Sequence, residues 1–173
     1  MEALFIMRKP LFLLFVGCLL LQPLFGQNPF PDRCLGIWKG MMHIQKDGNI
    51  RDSVEVVLTV AKTQDSSAWT WKTEYLSKTM PIVKDYRLRL KNKEKNQYCT
   101  DEGEGLELLD YLFGNKLYCV FETGGVMLTS SYELLGDELI FEVTSGKKQP
   151  VTHPEVTNYS VSNLQRVVFK RVR

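Results

Sequence analysis

Few side chains in this sequence are suited to covalent or metal chemistry, and their placement works against it. There are two histidines and four cysteines. His43 shares strand parity with Lys39 and Gln45, which sends it to an outer face. His153 stands between Thr152 and Pro154 in a loop, where a lone imidazole has no partner to make it a base. The run Asp101-Glu102-Gly103-Glu104 gathers three carboxylates but lacks the ligand spacing of a full calcium loop, so it reads as a solvated turn. Gly-x-Ser-x-Gly, a Walker loop, a dinucleotide fingerprint and His-Glu-x-x-His do not occur. The expectation is a protein without catalytic residues, metal or cofactor, and not an enzyme.

What would position a binding site must therefore come from the elements. The chain has 173 residues, 44% hydrophobic and 24% charged, which suits one compact domain. Its 22 basic and 20 acidic side chains leave a net charge of +2, giving no electrostatic reason to expect nucleic acid or an acidic membrane as partner. Residues 1–26 read as a secretory leader: Arg8 and Lys9, an apolar run from Leu11 to Leu21, then Gly26 before the cleavage point, with Met7 as an alternative start. The apolar run falls short of the roughly 20 residues needed to span a bilayer. Phe15-Val16-Gly17-Cys18 also resembles a lipobox that would anchor the chain through Cys18, although the apolar stretch continues past that cysteine. The product is expected to be secreted or periplasmic, with residues 27–173 as its single domain. Asn158-Tyr159-Ser160 is a glycosylation acceptor that matters only in a eukaryotic secretory pathway.

Beyond the leader, period-two alternation dominates. Val54, Val56, Leu58 and Val60 alternate with Glu55 and Thr59; Trp69, Trp71, Thr73 and Tyr75 with Thr70, Lys72 and Glu74; Tyr86, Leu88 and Leu90 with Asp85, Arg87 and Arg89. Turn signals such as Lys46-Asp47-Gly48-Asn49, Gly114-Asn115, Gly124-Gly125 and Gly136-Asp137 separate the runs. Ten strands are predicted, at 35–45, 53–61, 68–77, 84–91, 97–102, 105–112, 116–123, 126–134, 138–144 and 164–172, with Leu106 to Phe113 alternatively a short helix. A meander of this length leaves two bare edges unless it closes, so an all-β, closed up-and-down antiparallel barrel of about 8–10 strands is expected. The long connection from Ser145 to Asn163 would bring the last strand back beside the first. Cys34, Cys99 and Cys119 are an odd number. Cys99 and Cys119 fall on strands with another between them, about 9–10 Å apart, beyond bridging distance, so no structural disulfide is expected.

The two ends of this barrel carry a resemblance. Leu35-Gly36-Ile37-Trp38-Lys39-Gly40 opens the first strand, and Asn163 to Arg171 forms the last. Gly-x-Trp on strand one with a basic residue near the end of the final strand is similar to the calycin superfamily of lipocalins and fatty-acid-binding proteins, and most resembles its bacterial lipocalin-like secreted domains. The tight turn at Lys46 to Asn49 departs from the fatty-acid-binding proteins and leaves no helical lid. The haem-binding relatives need an inward histidine that this chain does not offer. Avidin-like barrels share Gly-x-Trp, but the rest of a biotin site cannot be matched. Antiparallel closure would bring Arg171 onto the Trp38 indole, so that Gly36, Trp38 and Arg171 shut one end.

The predicted inward set is Trp38, Met42, Ile44, Val54, Val56, Leu58, Trp69, Trp71, Tyr75, Tyr86, Leu88, Phe121, Tyr132 and Phe141, with Thr73, Thr100 and Ser130 as polar handles. Within it, Trp69, Trp71, Thr73, Tyr75, Tyr86, Phe121 and Tyr132 form the candidate ligand-binding set, and a small hydrophobic molecule is the implied partner. The alternative is a filled barrel that serves as a structural or protein-interaction module, with Leu109, Tyr111 and Phe113 forming an apolar patch outside.

Overall fold

A computed structural model of the chain describes residues 28–150 and 153–172. The predicted leader and Cys18 lie outside the described residues. Ten strands follow one another around a closed antiparallel barrel: β1 Gly36–Lys46, β2 Asn49–Lys62, β3 Ala68–Tyr75, β4 Ile82–Asn92, β5 Gln97–Gly103, β6 Leu106–Phe113, β7 Lys116–Thr123, β8 Val126–Leu135, β9 Glu138–Lys148 and β10 Tyr159–Arg171. Each strand pairs with its sequence neighbours, and β10 returns to β1. The architecture is like that of lipocalins and fatty-acid-binding proteins. Leu106–Phe113 is a strand and not the alternative helix.

Three expected boundaries move most. β2 starts at Asn49, directly after a hairpin turn in which Asp47 (φ 50°) and Gly48 (φ 76°) both take the left-handed conformation that such turns require. β9 and β10 run longer than their alternation suggested, so the last connection shrinks to 149–158. The fold also contains an element that the strand pattern did not announce: α1, Phe30–Arg33, introduced by Pro29 and carrying Pro31 in its first turn, where a missing amide costs nothing. Four residues are too few to show a helical period.

The seam between β1 and β10 has the expected register. Trp38 is paired with Arg171 and Met42 with Val167. Val167 and Phe169 turn inward and are buried. The Arg171 guanidinium lies 4.3 Å from the Trp38 ring centre, and it donates hydrogen bonds to the carbonyls of Leu35 and, at 2.8 Å, Arg33. Trp38 Nε1 in turn donates to Cys34 O at 2.7 Å. Arg171 thus ties the last strand to the segment that follows α1, so that end is stoppered by the short helix as well as by Trp38 and Arg171.

The seam is close because Gly40 has no side chain. A Cβ there would lie 2.5 Å from Val168 O and 2.6 Å from Val167 Cγ2. Gly40→Val is therefore expected to prise β10 from β1 and destabilise the protein by about 1–3 kcal/mol, read as a lower midpoint in urea unfolding.

Elsewhere the cylinder is less complete. β6 and β7 pair only over Asp110–Phe113 and Lys116–Cys119, so beyond the Asp110 and Cys119 pair the two strands carry no ladder. The three free cysteines of the described residues are all buried. Cys99 on β5 and Cys119 on β7 flank β6, and register sends Cys119 inward with Asp110 and Ser130 while Cys99 pairs with Leu109 on the other face.

Candidate functional site

The barrel interior divides into two halves. At the end where β1 begins, α1 is inserted and Phe30 is 1% exposed. Above it the rings climb in sequence: Phe30 to Trp71 at 6.4 Å, Trp71 to Tyr132 edge-on at 5.1 Å, and Tyr132 stacked on Phe141 at 4.3 Å. Leu58, Leu88, Leu117, Leu139 and Phe169 fill the space around them. This half is packed core.

In the other half, strand parity still points side chains inward, yet many of them remain only half-buried. Ile44, Val54, Tyr75, Tyr86, Phe121, Leu128 and Val143 share faces with buried inward neighbours but keep solvent exposure. An inward residue that stays wet lines an open space, so the barrel is a cup whose floor is Trp71, Thr73 and Tyr132. The mouth lies at the loops 47–48, 76–81, 104–105, 124–125 and 149–158.

The predicted binding residues are sorted by this geometry. Tyr75, Tyr86 and Phe121 stand on the wall of the cup, and Trp71, Thr73 and Tyr132 form its floor. The structure does not bring Trp69 to them. Trp69 packs against α1, with its indole Nε1 donating to Asp32 Oδ1 at 2.7 Å, while Asp32 also pairs with Lys62 at 3.2 Å. A separate cleft of about 710 Å³ opens beside α1, bordered by Asp32, Arg33, Lys62, Trp69 and Tyr98. It lies at the stoppered end and is not the cup.

Several polar residues of the cup were not anticipated. Asp110 faces inward between Tyr98 and Cys119 and is 4% exposed, with Thr100 Oγ1 donating to its Oδ2 at 2.9 Å. Burial raises its carboxyl to about 6, against the opposing hydrogen bonds of Thr100. Burial chiefly, and then Asp110, push the Cys119 thiol up to about 12, so it is a neutral thiol and no nucleophile at neutral pH. Glu102 belongs to the acidic run taken as a solvated turn, yet it faces the Tyr86 hydroxyl; burial chiefly, and then this carboxylate, holds that phenol well above its usual range. Lys84 rests 5.5 Å from the Tyr86 ring centre. The signal that would have found Asp110 is its parity with Leu108 and Leu112, legible once Leu106–Phe113 is read as a strand.

Neither histidine enters the cup. His43 Nδ1 lies 2.9 Å from Ser53 Oγ on the outer face, and His153 is exposed in the last loop. No cluster of three or more potential metal ligands occurs among the described residues. Asp101, the neighbour of Glu102, points outward and pairs with Arg89 at 3.2 Å. On the outside of β6 and β7, Leu109, Tyr111, Phe113, Tyr118 and Val120 are exposed, and the Phe113 and Tyr118 rings meet edge-on at 6.0 Å.

The S-type phycobiliprotein lyase CPES from Guillardia theta superimposes with a TM-score of 0.61 over 83% of this chain and 91% of its own, at 9% identity. The fold is calycin-like. Rv2717c from M. tuberculosis has a TM-score of 0.50, covering 84% of this chain and 99% of that one at 16% identity. The fluorescent protein UnaG is a looser likeness, with a TM-score of 0.45 over 82% and 98% at 17% identity. No protein-family model and no curated protein matches the sequence. Among the described residues no helix is long and apolar enough to cross a membrane.

Proposed function

We propose that this calycin-like barrel is an exported, non-enzymatic carrier that holds one small hydrophobic molecule in the open half of its lumen. The observation that carries the proposal is the half-exposed inward wall above a packed aromatic floor. Such a wall gains by exchanging water for an apolar ligand, at about 25 cal/mol per Å² of surface covered. Thr73, Tyr75 and Tyr132 supply hydrogen bonds for a polar group, the usual lining of a small-molecule site. The barrel fold shared with a phycobiliprotein lyase is compatible with a ligand in the lumen. Export belongs to the proposal through residues 1–26, and sequencing of the processed protein is expected to begin at Gln27.

Titration with the apolar fluorophore N-phenyl-1-naphthylamine tests the carrier. One saturable site is expected, with quenching of tryptophan emission as the probe reaches Trp71. Phe121→Ala should weaken binding by about five- to tenfold, the equivalent of about 1–1.4 kcal/mol of lost apolar contact. The packed lower half and the apolar outer patch on β6 and β7 favour the second reading, a protein-interaction module. Absence of any saturable site, with the patch alone sensitive to substitution in self-association or capture experiments, would decide for it.

A further inference from the structure

The polar chemistry of the lumen is unbalanced. Asp110 is a buried carboxylate on β6 that register turns inward, and none of the ion pairs among the described residues includes it. The titratable groups around it are all acids: Tyr98 and Glu102 on β5, with Cys99 on that strand's opposite face, Cys119 on β7 and Tyr132 on β8. Lys84, on β4, sits by Tyr86 and has no salt bridge to any carboxylate. Arg87, Arg89 and Arg166 lie on outward parities, and Arg171 is spent on Trp38 and α1. Lys84 shares the inward parity of Tyr86 and Leu88, but a fatty-acid-type carboxylate that descends past it to Asp110 would meet a buried carboxylate with no ion-pair partner. A buried charge without a counterion is unfavourable unless something supplies one.

We infer that the ligand is an apolar molecule carrying a protonated amine, which descends to the level of Tyr132 and pairs with the Asp110 carboxylate. This rests on the carrier reading of the lumen. Thr100 Oγ1 donates to Oδ2 and orients the carboxylate, whose remaining acceptor capacity would take the incoming N–H groups in a charge-assisted hydrogen bond. The apolar body of the ligand would then lie along Tyr75, Tyr86 and Phe121.

Three probes decide it, each a dansyl group on a ten-carbon chain that ends in a methyl, an ammonium or a carboxylate. Binding is read by energy transfer from the tryptophans. At pH 8 the ammonium probe is expected to bind at least tenfold more tightly than the carboxylate probe. In Asp110→Asn that preference should shrink to within about threefold, each end group being compared with the methyl probe on the same variant. If the variant does not fold, the native protein carries the same test: its preference should fade between pH 8 and pH 5 as Asp110 takes up its proton, since burial places that carboxyl at about 6. A carboxylate probe that binds as well as the ammonium one, or a preference that survives Asp110→Asn, overturns the inference. If the methyl probe binds but the end groups are not distinguished, the ionic assignment alone fails. If none of the three binds, the carrier reading fails with it.

Discussion

Replacing Phe30 by alanine is expected to lower the unfolding free energy by about 3–5 kcal/mol, the range for emptying a fully buried aromatic site. The ring is 1% exposed, stands 6.4 Å from Trp71 and closes the lower end of the barrel. Without it, α1 keeps only the buried Pro31 ring as an apolar anchor, with Asp32 and Arg33 held through polar contacts to Trp69, Lys62 and Arg171. The loss should appear as a fall in thermal midpoint. Water admitted from below should also shift Trp71 emission to longer wavelength. Unchanged stability would mean that the helix is an ornament on a barrel already shut by Trp38 and Arg171.

Asp110→Asn should act in the opposite direction. Burial raises the native carboxyl to about 6, whereas an unfolded chain ionises near its ordinary value of 3.8. Between those values the native state keeps a proton that the unfolded chain has released, so stability falls as pH rises through the window and is level above about pH 7. A shift of that size corresponds to about 3 kcal/mol at most, and the amide escapes the cost while still accepting from Thr100. Asp110→Asn is therefore expected to be more stable than the native protein at pH 8 by about 2–3 kcal/mol, with a flatter profile between pH 4 and pH 7. Chemical denaturation at a series of pH values measures both. A variant less stable at pH 8 would show that the carboxylate already has a counter-charge in the unliganded protein.

These two residues also mark where the sequence could and could not be read. Alternation placed Val54, Val56, Leu58, Trp71 and Thr73 on the inner face because each lies in a run where every second residue is apolar, and one face of a closed sheet must be dry. Arg171 on Trp38 was implied by the resemblance and agreed with antiparallel closure. Asp110 was hidden because LELLDYLF is apolar on both faces: Leu109, Tyr111 and Phe113 point outward and stay exposed, which blurs the period. Glu102 was hidden by its acidic neighbours. Phe30 was hidden because a four-residue helix has no repeat to detect, and a phenylalanine between two prolines resembles a linker. Trp69 had the right parity but the wrong height. Period-two spacing tells which wall a residue lines and says nothing of how far down the barrel axis it sits, and Asp32, which fixes Trp69 at the stoppered end, is 37 positions away.

The interrupted ladder between β6 and β7 gives this cylinder a property that closure normally abolishes. From Leu106 to Leu109 and from Val120 to Thr123, one side of each backbone is unclaimed by the other strand, so two short raw margins confront each other across a slot. Amides on those margins should exchange with deuterium well before their neighbours in the same strands. Exposed charged side chains flank the slot on its outer side, Glu107 paired with Lys91 and Glu122 accepting from the Tyr159 hydroxyl, and such groups discourage a foreign strand from zipping into the opening.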